Sequence, residues 1–116
     1  MTLEEFYNKV DGNYAEVMER LLKPERVVRY LNMFLEDESY KKLCDSMDVK
    51  DYEAGFQHSH NLKGTCLNLG LTSLYRPSSA ICEELRHGNP GPDTDKLLSE
   101  VKKTYEETVS LIKELA

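Results

Sequence analysis

The stretch FQHSHNLKGTCLNLG, Phe56 to Gly70, gathers two of the chain's three histidines, a lysine and two glycines where the apolar spacing is otherwise that of an amphipathic helix. A helix advances about 100° per residue, so residues four apart stack on one face, and a side chain at position 64 would lie beside His60. Gly64 leaves that space open. Glycine inside a helix costs about 1 kcal/mol relative to alanine, a cost that makes sense if something bulky must reach the imidazole. Lys63, three residues on, leans toward the same spot. An accessible imidazole with a fixed positive charge alongside is suited to holding a phosphoryl group: the ring nitrogen is the nucleophile and the ammonium balances the incoming charge. Spacing alone also fits an incidental surface histidine.

The other chemistry-bearing residues read differently. Relative to the apolar stripe Tyr52, Phe56, Leu62 and Cys66, His60 lies about 110° away, at the edge of the packed face. His58 sits about 200° from His60, so the two cannot chelate one metal as residues four apart could, and no metal is expected. His87 directly precedes Gly88 and the breaker run HGNPGPD, where the negative end of a helix dipole favours it. No GxxxxGK[ST] or GxGxxG run forms a nucleotide cradle, and the carboxylates are scattered along polar faces. Three cysteines, Cys44, Cys66 and Cys82, fall among apolar positions without a CxxC spacing and read as reduced packing residues.

The elements that must hold His60 follow from apolar residues recurring at three and four residue intervals, with no alternation of period two. Leu3, Phe6, Tyr7 and Val10 predict a short helix ending at DGN, and Tyr14, Val17, Met18 and Leu21 predict a second. Pro24 suits a first helical position, and Val27, Leu31, Phe34 and Leu35 continue the stripe from it. EDES then interrupts, leaving either a bent helix or two segments in series. The motif helix follows from about Asp51 to Asn68, with Gly70 as a left-handed stop and Thr72 or Ser73 as the next cap. Leu74, Tyr75, Ser78, Cys82 and Leu85 carry a further helix to Gly88, with Pro77 as its one local conflict. Asp93 is a candidate cap for a last helix on Leu98, Val101, Tyr105, Thr108, Ile112 and Leu115. The reading is all-α: an up-and-down antiparallel four-helix bundle with short extra N-terminal helices, one domain over 1–116, its helical cap at about 1–22 and its bundle at about 24–116.

Composition sets bounds on function. At 116 residues, 40% hydrophobic and 31% charged, the chain supports one core. A net charge of −6 with no basic block argues against nucleic acid. No apolar run approaches the roughly 18 to 20 residues of a membrane span, and MTLEEFYNKV is acidic where a signal peptide would be basic, so a cytoplasmic location away from membranes is expected.

The run HNLKGTCLNLG, with His60, Lys63, Gly64, Asn68, Leu69 and Gly70, resembles the HxxKGxxxNLG signature of histidine-containing phosphotransfer (HPt) domains of two-component phosphorelays. The plan of about four long helices around it resembles such a domain from end to end. The resemblance implies that His60 accepts a phosphoryl group from a receiver-domain aspartate and passes it to another receiver. Lys63 would stabilise charge, Gly64 would give steric access, and Asn68 to Gly70 would end the helix. Phe56, Gln57 and Leu67, around His60 on nearly the same face, are expected to dock the receiver. Partners would be response-regulator receiver domains and a hybrid sensor histidine kinase. The chain would act as a monomeric phosphocarrier and no enzyme, without a cofactor of its own, the Mg²⁺ being held by the receiver. His58 and Ser59 stand where the family usually has small apolar residues, and Pro77 interrupts the following helix. A second reading is a non-catalytic helical adaptor that only docks; such a protein has no need of a glycine beside His60.

Overall fold

The computed structural model describes residues 1–115, and the last residue of the expected 24–116 unit lies outside that span. Seven α-helices occupy the described residues, with no strand: α1 Leu3–Lys9, α2 Tyr14–Leu21, α3 Pro24–Glu36, α4 Ser39–Asp48, α5 Tyr52–Leu69, α6 Thr72–Glu84 and α7 Thr94–Glu114. Helices of 18 and 21 residues, α5 and α7, span about 27 and 32 Å at 1.5 Å per residue, within a longest dimension of 40 Å.

Local chemistry sets the boundaries. Thr2 and Glu5 close a reciprocal capping box on α1, and Asn13 accepts from the Glu16 N–H at the start of α2. Pro24 opens α3, where its missing N–H is no loss. EDES resolves as two segments in series: the Asp37 N–H turns back to the Phe34 carbonyl, and the Asp37 carboxylate accepts from the Ser39 N–H at 2.8 Å. Pro77 is buried inside α6, which begins at Thr72 and runs through it. The proline supplies no N–H to the Ser73 carbonyl one turn back, and packing carries the helix past the gap.

Three expected caps differ. Neither Thr72 nor Ser73 caps α6; Leu71 holds the cap position without a side-chain bond. Asp93 holds the cap position of α7 with its carboxylate unused, while the Thr94 hydroxyl accepts from the Gly91 N–H at 2.7 Å. The α6 helix ends at Glu84, ahead of Gly88, which lies in the turn beyond with φ 77°.

Around α5 the other helices close. It lies against α4 and α6, α6 lies against α7, and α3 touches both α5 and α7. Val27, Leu31 and Phe34 of α3 meet Leu43, Leu62, Cys66, Leu74, Ile81, Val101 and Ile112 in one core. Burying these side chains at about 25 cal/mol per Å² of apolar surface is the main force holding the helices together.

The two N-terminal helices are deeper in that core than a cover. Phe6 and Tyr7 are fully buried, edge to face at 5.0 Å between centroids, and the Tyr7 hydroxyl donates to the Leu69 carbonyl at 2.8 Å. Burial keeps that phenol protonated far above its ordinary range. The contact ties the first helix to the C-terminal end of the helix that carries His60.

Candidate functional site

The helix α5 is fixed at both ends. Asp51 caps its start by accepting from the Ala54 N–H at 3.1 Å, and Glu53 adds negative charge in the first turn, where the helix dipole favours it. At the far end Gly70 adopts φ 71°, a left-handed conformation that costs glycine little. The Leu71 N–H reaches the Cys66 carbonyl at 2.9 Å and the Gly70 N–H reaches that of Leu67 at 3.3 Å, the two bonds of a Schellman turn. At the start of α6, the Ser73 N–H is met by the Val10 carbonyl at 2.9 Å in place of a side-chain cap. The remaining carbonyls are met from α1 and α2: Tyr7 donates to Leu69, and the Arg20 guanidinium donates to Asn68 at 3.0 Å and Leu67 at 3.3 Å. A cation at this end also complements the helix dipole.

Two faces of α5 then separate. Gly55, Ser59, Leu62, Cys66 and Leu69 are buried, while His60 and Leu67 on the opposite side are exposed. The line of burial passes through Gly55 and Ser59, with Tyr52 and Phe56 only half-buried at its margin. That rotates the buried centre away from His60, which stands about 140° from it, more outward than the edge position expected from the apolar stripe. Gln57 is exposed, and Phe56, Lys63 and Gly64 are half-buried. The structure thus brings His60, Lys63, Gly64, Phe56, Gln57 and Leu67 onto one accessible surface. His58 is half-buried on another flank, and His87 is exposed in the turn after α6.

A Cβ at position 64 would meet nothing within 4 Å. No packing contact requires this glycine. The same fact refines the access argument, because an added methyl would not touch the imidazole itself. The open volume belongs to whatever approaches it.

The Phe56 ring lies beside the imidazole, with centroids 6.1 Å apart and planes inclined at 29°. Across the same phenyl ring, the Arg86 guanidinium carbon sits 5.6 Å from its centroid, a cation–π distance. Arg86 is held in turn by Glu83, with Nε donating to one carboxylate oxygen at 3.1 Å and Nη2 donating to the other. The arrangement is an exposed imidazole beside an aromatic ring, with one cation, Lys63, on its own helix and a second, Arg86, in the turn that follows α6. It can present a neutral ring nitrogen to an electrophile and meet the charge of an anionic group.

Sequence reasoning did not single out Arg86, Glu83, Arg20 or Tyr7. For the first two a signal exists: α5 and α6 fold back through Gly70 and Leu71, and equal rises per residue pair positions whose numbers sum to about 141. Gly55 with Leu85 and Glu53 with Gly88 obey that rule, as does Arg86 over Phe56. No protein-family model, curated protein or solved structure matches the chain.

Proposed function

We propose that this chain is a phosphohistidine carrier of the histidine-containing phosphotransfer kind, taking a phosphoryl group on His60 from a receiver-domain aspartate and passing it to a second receiver. The observation that carries the reading is the open volume over Gly64, on the same accessible face as His60 and Lys63, at a position where packing does not call for glycine. In the transfer, the lone pair of the unprotonated ring nitrogen attacks phosphorus. The phosphorus–oxygen bond to the acyl group breaks, and the aspartate leaves as a carboxylate with that electron pair. The product is a phosphorylated imidazolium that can release its remaining N–H proton to water. Lys63 and Arg86 stabilise the oxygens in flight. The chain needs no cofactor of its own, since the Mg²⁺ travels with the receiver.

On this reading α3 and α4 in series, α5, α6 and α7 are the four units of an up-and-down antiparallel bundle, and α1 and α2 are its N-terminal cap within one domain. The protein works as a cytoplasmic monomer between receivers and a hybrid sensor kinase, and it is a carrier with no nucleotide chemistry of its own. Phe56, Gln57 and Leu67 form the docking surface, where Leu67, 55% exposed, gives a transient interface its apolar contact. Incubation with phosphorylated receiver domains from the same source tests the proposal. Acid-labile, base-stable label on the wild type and none on His60→Gln is the expected result. Label of equal strength on His60→Gln overturns it.

A further inference from the structure

Resting on that reading, we infer that Glu83 gates the phosphoryl site: its carboxylate occupies Arg86 while His60 is unloaded, and a phosphoryl group on His60 takes its place.

Three contacts carry the inference. The guanidinium of Arg86 is gripped by both carboxylate oxygens of Glu83, the fork geometry that arginine offers equally to carboxylates and phosphates. The same guanidinium rests on the Phe56 ring, and His60 lies against that ring too, so the cation and the acceptor share one aromatic shelf. Arg86 therefore stands one aromatic ring away from His60 and is committed to Glu83. The bonds from Arg86 hold the Glu83 carboxyl below the ordinary carboxylate range, and the charges of Lys63 and His87 act in the same direction. Glu83 thus holds the cation that shares the Phe56 ring with His60.

The pair is built to exchange. Its side chains are 46% and 58% exposed, and an exposed ion pair is held only weakly against solvent and competing anions. A phosphoryl group brings about two negative charges and three acceptor oxygens, more than a carboxylate can offer. Two of the five N–H donors of Arg86 are engaged by Glu83, and rotation of its long side chain across the phenyl face changes partner without moving α6. Glu83 thereby keeps the unloaded surface less positive. It also competes, weakly, with the loaded state.

The test uses the whole chain and phosphoramidate as a small phosphoryl donor, from which the His60 ring nitrogen takes phosphorus while the phosphorus–nitrogen bond breaks and ammonia leaves. Nitrogen-15 NMR follows the Arg86 Nε–H, assigned by its loss in Arg86→Gln, before and after loading. The wild type should show that resonance shift on loading. Glu83→Gln should show it displaced already in the unloaded protein and should lengthen the life of the phosphohistidine about two- to fivefold, the factor equivalent to an exposed pair. Glu83→Asp, which keeps the charge on a shorter arm, should fall between. A loaded His60 with an unmoved Arg86 resonance and an unchanged lifetime in Glu83→Gln overturns the gate alone. Failure of His60 to load at all removes the carrier reading and the gate together.

Discussion

Two glycines on the same helix answer to different constraints. At Gly55 a Cβ would stand 3.0 Å from the Met47 sulfur and 3.2 Å from Leu85 Cδ1, tighter than ordinary contact, so α4 and α6 close over α5 because nothing projects there. At Gly64 the same atom would find nothing within 4 Å. The first glycine is explained by the fold, and the second is left to be explained by what comes to the surface. The lesson is that a glycine's meaning in a helix lies in what its missing side chain would have met. Composition alone does not distinguish the two.

The sharpest way to break the contrast is at the residue the open face presents. His60→Gln should abolish phosphoryl acceptance while leaving the helical circular dichroism spectrum unchanged, because the side chain is exposed and lies along the Phe56 ring at the surface. His58→Gln should leave transfer nearly intact, since its flank carries Leu62 at the next turn where His60 has Gly64. Label that persists in His60→Gln and vanishes in His58→Gln would move the acceptor to the other flank.

The glycines themselves come next. Gly64→Leu should block transfer by standing in the partner's path, yet leave the protein as stable or more stable by up to about 1 kcal/mol, since leucine is the better helix former. Gly55→Leu should destabilise by about 1 to 3 kcal/mol, because an overpacked core must shift Met47 and Leu85. Urea unfolding of the two variants, run beside a transfer assay, checks both halves. Native-rate transfer by Gly64→Leu would show that the open volume is not an approach path.

The reach of local periodicity explains what the sequence disclosed and what it withheld. His60, Lys63 and Gly64 fall within five consecutive residues, so helical geometry alone places them on one face. The αL stop at Gly70 was legible for the same reason. Tyr7 and Leu69 meet across 62 residues, and Arg20 reaches Asn68 across 48, separations at which apolar spacing says nothing. The depth of α1 was hidden accordingly. Apolar spacing follows large residues and overlooks small ones, so it misplaces burial along α5: Gly55 and Ser59 occupy the closed face, and Phe56, larger than either, lies at its margin. Ser59 fits there because its hydroxyl donates to the Phe56 carbonyl at 3.0 Å within its own helix.

On the open face, Lys63 should matter less than His60. Lys63→Ala should slow transfer about tenfold, a loss near 1.4 kcal/mol, because the ammonium contributes charge but no bond to phosphorus. Arg86 remains in the turn after α6 to supply part of that charge, so the double variant Lys63→Ala with Arg86→Gln should fall further than either single change. Stopped transfer in Lys63→Ala alone would make the lysine indispensable and the second cation idle.

The smallest effect belongs to the closed face, where Cys66 reports how tightly it is sealed. Burial pushes its thiol up to about 12, with the charge of Asp37 acting the same way, from an ordinary value of 9.0. The folded state therefore keeps a proton that the unfolded state releases between about pH 9 and about pH 12. The stability that this thiol contributes is whole below about pH 9 and is lost as pH rises toward its folded value. Cys66→Ala should lower stability near neutral pH by leaving a small cavity, but lose less than the wild type does between about pH 8 and about pH 11. In the native protein Cys66 and Cys82, both fully buried, should react with a thiol reagent only as fast as the helices part, and half-buried Cys44 should react first. Rapid native-state labelling of Cys66 would mean that α5 opens on its closed face as readily as on the face of His60, and the contrast between the two glycines would lose its structural ground.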